Sequence, residues 1–105
     1  MYLKQLLNGM PISVHTTNRD GKILFYNHAS VKLWEREPNL NECRWTGAIE
    51  VYDKEGRKVL EEDLPIRKSI LEKREIYGEE FLIKNLSGYR NILKYSIPLL
   101  DDLDN

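Results

Sequence analysis

Apolar residues along this chain fall into two spacings, and the switch between them marks the elements. Leu3, Leu6 and Leu7 lie at helical spacing and are followed by Asn8-Gly9, a pair that ends helices, so residues 1–9 read as a short amphipathic helix. From Pro11 the period drops to two. Ile12, Val14 and Thr16 oppose Ser13, His15 and Thr17, which predicts a strand over Ile12–Thr17. Asp20-Gly21 supplies a turn, since Gly takes φ > 0 at little cost and Asp bonds its own backbone. A second strand, Lys22–Tyr26, sets Leu24 and Tyr26 against Ile23 and Phe25. Asn27 then stands where a helix cap belongs, ahead of Ala29, Val31, Leu33 and Trp34. That helix should reach about Glu35 and stop before Pro38, because the residue preceding a proline avoids helical torsions.

The second half repeats the arrangement in a different order. Ala48–Asp53 and Arg57–Leu60 flank Lys54-Glu55-Gly56 and predict a small hairpin. Asp63 is placed to cap a helix with Pro65 in its first turn, Ile66, Ile70 and Leu71 on one face, and Lys73 and Arg74 at the end where the helix dipole favours cations. Two longer strands follow, Gly78–Lys84 and Tyr89–Leu100, before an acidic tail. The order β-β-α-α-β-β, with short pieces between the helices, predicts an α+β domain built on an antiparallel sheet.

Composition narrows the function classes. With 105 residues and 41% hydrophobic content, residues 10–105 form one small domain with a core. Sixteen basic residues against 17 acidic leave a net charge of −1, which offers no basic face for nucleic acid. No apolar run approaches the roughly 20 residues of a membrane span. Met1–Met10 lacks the pattern of a signal peptide, and a cytoplasmic location without membrane insertion is expected. Cys43 is the single cysteine, so neither a disulfide within the chain nor a cysteine zinc site is expected. A phosphate loop, an HExxH pair and a nucleophile elbow are all missing, so neither catalytic nor metal-ligating residues are assigned.

From about Met10 onward the chain resembles a PAS sensory domain of bacterial or archaeal signalling proteins. The residues that carry this are Pro11-Ile12-Ser13-Val14-His15-Thr16-Thr17-Asn18-Arg19-Asp20-Gly21-Lys22-Ile23, then Asn27-His28-Ala29. Trp45-Thr46-Gly47, Lys54-Glu55-Gly56, Asp63-Leu64-Pro65 and Tyr95-Ser96-Ile97-Pro98-Leu99-Leu100-Asp101 continue it. Asn18 stands where Asp is usual, and Glu35 where a Gly commonly follows the helix. The resemblance implies a PAS-like sheet with flanking short helices and the order second–first–(slot)–fourth–third. The family's final central strand belongs in the slot, and Asn105 falls within the turn that would precede it. An open slot would expose unpaired backbone groups and invite pairing with another chain.

The same resemblance implies a ligand pocket on the concave face of the sheet. Ser13 and the candidate residues His15, Thr17, Leu24 and Tyr26 would face it, with Phe81, Ile83 and Lys94 as further candidates. Trp34, Trp45, Tyr52 and Phe81 are expected first as core, and Trp45 and Tyr52 are pocket candidates because each ring also offers an N–H or O–H. A lone histidine is more often a core residue bonded to a backbone carbonyl than a pocket imidazole. Lys94 would select an anion if it faced the pocket; an exposed lysine on an outer strand is the commoner case. Ile12, Val14, Ile23 and Phe25 would fill an apolar convex face, covered by Leu3, Leu6 and Leu7 of the first helix or by a second copy. Neither flavin nor haem is expected. The positions of the flavin-reading amides carry Ile83 and Ile92 or Leu93, and the helix over Leu64–Lys73 has no histidine for iron. The function implied is a ligand-binding and dimerising sensory module of a signalling protein, first of all a histidine kinase. The domain itself would be no enzyme, and effector domains of the parent protein would be its partners. The alternative is a structural interaction module without a small-molecule ligand; a small enzyme ranks third.

Overall fold

The computed structural model describes residues 2–98, leaving aside the side chains of residues 2–4. The Leu3 side chain, the expected end of the last strand at Leu100 and the acidic tail lie outside the described residues. The elements run α1 (Tyr2–Asn8), β1 (His15–Thr17), β2 (Ile23–Tyr26), α2 (His28–Trp34), β3 (Glu50–Asp53), a 3-10 turn (Glu61–Asp63), α3 (Pro65–Glu72), β4 (Ile76–Asn85) and β5 (Gly88–Ser96). Together they make a small α+β protein with two antiparallel sheets, β2-β1 and β3-β4-β5.

The first strand is shorter than alternation predicts because a side chain takes over its ladder. Asn27, fully buried, accepts from Val14 N through Oδ1 and donates through Nδ2 to the carbonyls of Ile12 and Leu7. Its backbone N–H reaches Val14 O at 3.0 Å, and its Oδ1 also caps α2 by accepting from Ser30 N. One amide therefore closes the sheet edge, starts α2 and anchors the end of α1. His28 N adds a bond to Asn8 Oδ1.

A bulge overturns the expected facing of β2. His15 pairs with Tyr26 and Thr16 with Phe25, but Thr17 pairs with Ile23, so Leu24 is the extra residue. Parity flips there. Ile23, assigned to the convex face, is 1% exposed and belongs to the core; Leu24, assigned to the interior, is 61% exposed.

Two tryptophans organise the interior, each lying against a glycine. A Cβ on Gly21 would sit 2.4 Å from Trp45, and one on Gly47 would sit 2.3 Å from Trp34. Trp34, Ala48 and Ile83 form the buried cluster, with Tyr26, Leu33, Val51 and Ile92 packed around it. Glu35 ends α2 at φ 59, the left-handed torsion that favours Gly, and its carboxylate accepts from Ser87 N and Oγ across the β4–β5 turn. Asn85 Nδ2 donates to Leu33 O, tying the same turn to the same helix end.

The hairpin around Gly56 forms, with Asp53 N bonded to Arg57 O and Val59 N to Val51 O, and β3 continues onto the outer edge of β4. The helix cap is not Asp63. Asp63 lies in the 3-10 turn, and the extended, buried Leu64 precedes Pro65 at the helix start, as the steric demand of proline on its predecessor requires.

Candidate functional site

β1 and β5 are the facing edges of the two sheets, and they do not pair. Between them, over α3, lies a cleft of about 890 Å³ lined by residues 12–19 of the first strand region, by 93–98 of β5 and beyond, and by Ile66, Ser69, Ile70, Leu71 and Lys73 of the α3 region. α3 is held to β5 there: Ser69 Oγ donates to Arg74 O at 2.6 Å and approaches Ser96 O at 3.4 Å.

Ladder parity sets which backbone groups border the gap. Val14 is bonded across to Asn27, so the groups of Ser13, His15 and Thr17 point the other way. The tight turn pairs Asn85 with Gly88, so the even-numbered residues of β5 bond β4, and Leu93 and Tyr95 present their backbone to the gap.

Four of the sequence-derived candidates meet at this cleft: His15, Thr17, Leu24 and Lys94. His15 Nε2 lies 2.7 Å from Trp45 O, and the ring packs edge-on against Trp34 at 5.3 Å. Burial, helped by the nearby Lys94 charge and opposed by the Trp45 carbonyl, lowers the His15 pKa to about 3. The ring is neutral at pH 7. It donates from Nε2, because a carbonyl can only accept, and keeps Nδ1 as an acceptor. Lys94 is half-buried, not an exposed outer-strand lysine, and burial brings its pKa down to about 8. It makes no hydrogen bond or ion pair among the described residues. Thr17 Oγ1 and Ser96 Oγ are buried without partners.

The other five candidates sit elsewhere. Trp45 and Ile83 are core residues, and the Trp45 indole N–H is also unpartnered. Tyr26 is half-buried, with its hydroxyl donating to Glu37 Oε1 at 2.9 Å. Tyr52 donates to Glu50 Oε1 and stacks edge-on with Tyr89; Phe81 is half-buried in β4. Sequence reasoning missed Ser96, whose small side chain carries no chemical signature.

Of the expected interface residues, Ile12 and Leu6 are exposed, while Leu7, Val14 and Phe25 are half-buried. Leu93, Tyr95, Ile97 and Tyr77 add exposed apolar area, with Tyr77 and Tyr95 edge-on at 6.4 Å. Cys43 is half-buried beside Arg36 Nη2 at 3.6 Å. No three His, Cys, Asp or Glu side chains gather to hold a metal among the described residues, and none of their helices is long and apolar enough to cross a membrane. No protein-family model, curated protein or solved structure matches the chain.

Proposed function

We propose that this chain is a PAS-type sensory module of a signalling protein, a histidine kinase before other parents, and that it binds a small molecule in the cleft between β1, β5 and α3. The observation that carries the reading is the cleft itself: about 890 Å³ of space bordered by residues whose polar groups have no partner among the described residues, namely Lys94, Thr17 and Ser96. Buried polar groups are normally satisfied, and groups left open beside a cavity are what a ligand would complete.

A route for the signal follows from Asn27. A ligand that shifts the β1 wall moves Ile12 and Val14, both bonded to the Asn27 amide, and that amide also holds the Leu7 carbonyl at the end of α1. α1 is too short to be stable alone, so its order depends on this tether. The test is native mass spectrometry of gently purified protein beside protein unfolded, dialysed and refolded. A small-molecule mass present in the first and absent from the second supports the reading; identical masses with no cleft-specific binder recovered from cell extract defeat it.

A second reading, an interaction module without a ligand, draws on the exposed rim of the cleft. Ile12, Leu24, Leu93, Tyr95 and Ile97 are all exposed there, beside two unpaired strand edges. A second chain seated on this rim would compete with a ligand for the cleft.

A further inference from the structure

We propose that the cleft selects an amphipathic monoanion, a carboxylate carried on an apolar body, with the Lys94 ammonium as its counter-charge; this rests on the small-molecule reading above. The lining has a lopsided chemistry. Arg19, Lys73 and Lys94 border the cleft, and among the described residues not one Asp or Glu lines it. The rest of the wall is largely aliphatic, with Ile12, Val14, Leu24, Ile66, Ile70 and Leu93 along it. A charged head and an apolar tail match such a wall better than a sugar or a nucleotide would.

Lys94 is the group that most needs the anion. Taking an ammonium out of water without a partner is unfavourable, and folded chains normally pair such a charge. The depressed Lys94 pKa is the mark of that unmet demand. Thr17 and Ser96 each hold a hydroxyl without an acceptor, and rotation about χ1 would bring either toward a bound carboxylate oxygen. The neutral His15 adds no second positive charge to compete with Lys94, and its Nδ1 can accept from a protonated or hydroxylated substituent.

The test uses the full chain with two isosteric probes, octanoate and octanamide, followed by ¹⁵N–¹H NMR of the cleft amides. Octanoate should bind about tenfold to a hundredfold more tightly than octanamide, the range expected of a charge-assisted hydrogen bond. Lys94→Met should erase that preference and Lys94→Arg should keep most of it. The wild-type comparison needs no variant, so a misfolded substitution leaves the test intact. Equal binding of the two probes, or a preference that survives Lys94→Met, overturns the anion proposal while leaving the small-molecule reading standing. Absence of any cleft shift at concentrations on the order of a millimolar overturns the proposal as well. The native mass measurement then decides the broader reading independently.

Discussion

Two glycines with nearly the same backbone torsion separate the energy of strain from that of packing. Gly21 has φ +89 and Gly56 has φ +85. A Cβ on Gly56 would meet nothing within 4 Å, whereas one on Gly21 would lie 2.4 Å from Trp45 Cε2 and 2.7 Å from Cδ2 and Nε1. Gly56→Ala therefore carries the left-handed strain alone, about 1–2 kcal/mol. Gly21→Ala carries the same strain plus overpacking. Carbon atoms rest about 3.5–4.0 Å apart, so the indole must retreat by about 1 Å. Trp45 is 2% exposed and has no solvent side to move into, which adds about 1–3 kcal/mol. The retreat also reaches the cleft, because the Trp45 backbone N–H is bonded to Gly21 O and the Trp45 carbonyl accepts from His15. Urea unfolding followed by tryptophan fluorescence should show both variants destabilised at unchanged m-value, with Gly21→Ala lower by the packing difference, and His15 ring resonances should shift only in Gly21→Ala. Equal stabilities of the two variants would refute the claim that Trp45 is wedged against Gly21.

His15 is held neutral with a pKa near 3, against 6.5 when exposed, so the unfolded chain binds the extra proton first. Stability attributable to this residue is fully present above pH 6.5 and falls as pH drops toward 3, by on the order of 5 kcal/mol; His15→Gln should remove that part of the acid-unfolding slope. Asn27→Ala strands Val14 N and the carbonyls of Ile12 and Leu7, and should lower stability by at least about 3 kcal/mol while α1 amides exchange faster than those of β4. Lys94→Met removes a half-buried ammonium that has no partner, so the ligand-free variant should melt a few degrees higher than the parent, as charged groups kept for binding commonly reduce stability. Sedimentation at tens of micromolar should show self-association that Tyr95→Glu weakens; monomer alone at that concentration would end the interaction-module reading.

Local signals placed most of the fold. Asn27 as a cap, Pro65 as a helix start and Asp20-Gly21 as a turn each depend on a neighbour or two, and each is realised at its expected position. The errors lie where a distant partner decides. Strict alternation put Ile23 outside and Leu24 inside, but the bulge inserts one residue and exchanges them. Its cause is non-local: Trp45 lies over Gly21 and bonds its carbonyl, and Lys22 bridges to Arg44, so the start of β2 is held by a segment more than twenty residues away. Glu35 looked out of place for a left-handed cap, yet it holds that torsion because Ser87, 52 residues on, binds both of its carboxylate oxygens.

The cleft residues show the same division. His15 and Thr17 were legible because alternation on one short strand sends them to one side, and the bulge's extra residue, Leu24, lies on β2. Tyr52 and Phe81, for which the core is the first expectation, lie away from the cleft, because β3 and β4 are on the far side of β5 from the gap. Lys94 could be assigned only conditionally, since one strand's parity leaves open which face looks inward. The pairing with β4 decides it. Asn85 faces Gly88 across a two-residue turn, Ile83 then faces Arg90 and Phe81 faces Ile92, and that register puts Ile83 and Ile92 together at the core and Lys94 on the same side, two residues along. A lysine in line with core isoleucines would ordinarily be paired or replaced. Its place beside an aliphatic cleft that no described Asp or Glu lines is the physical reason to look for the missing negative charge in a ligand.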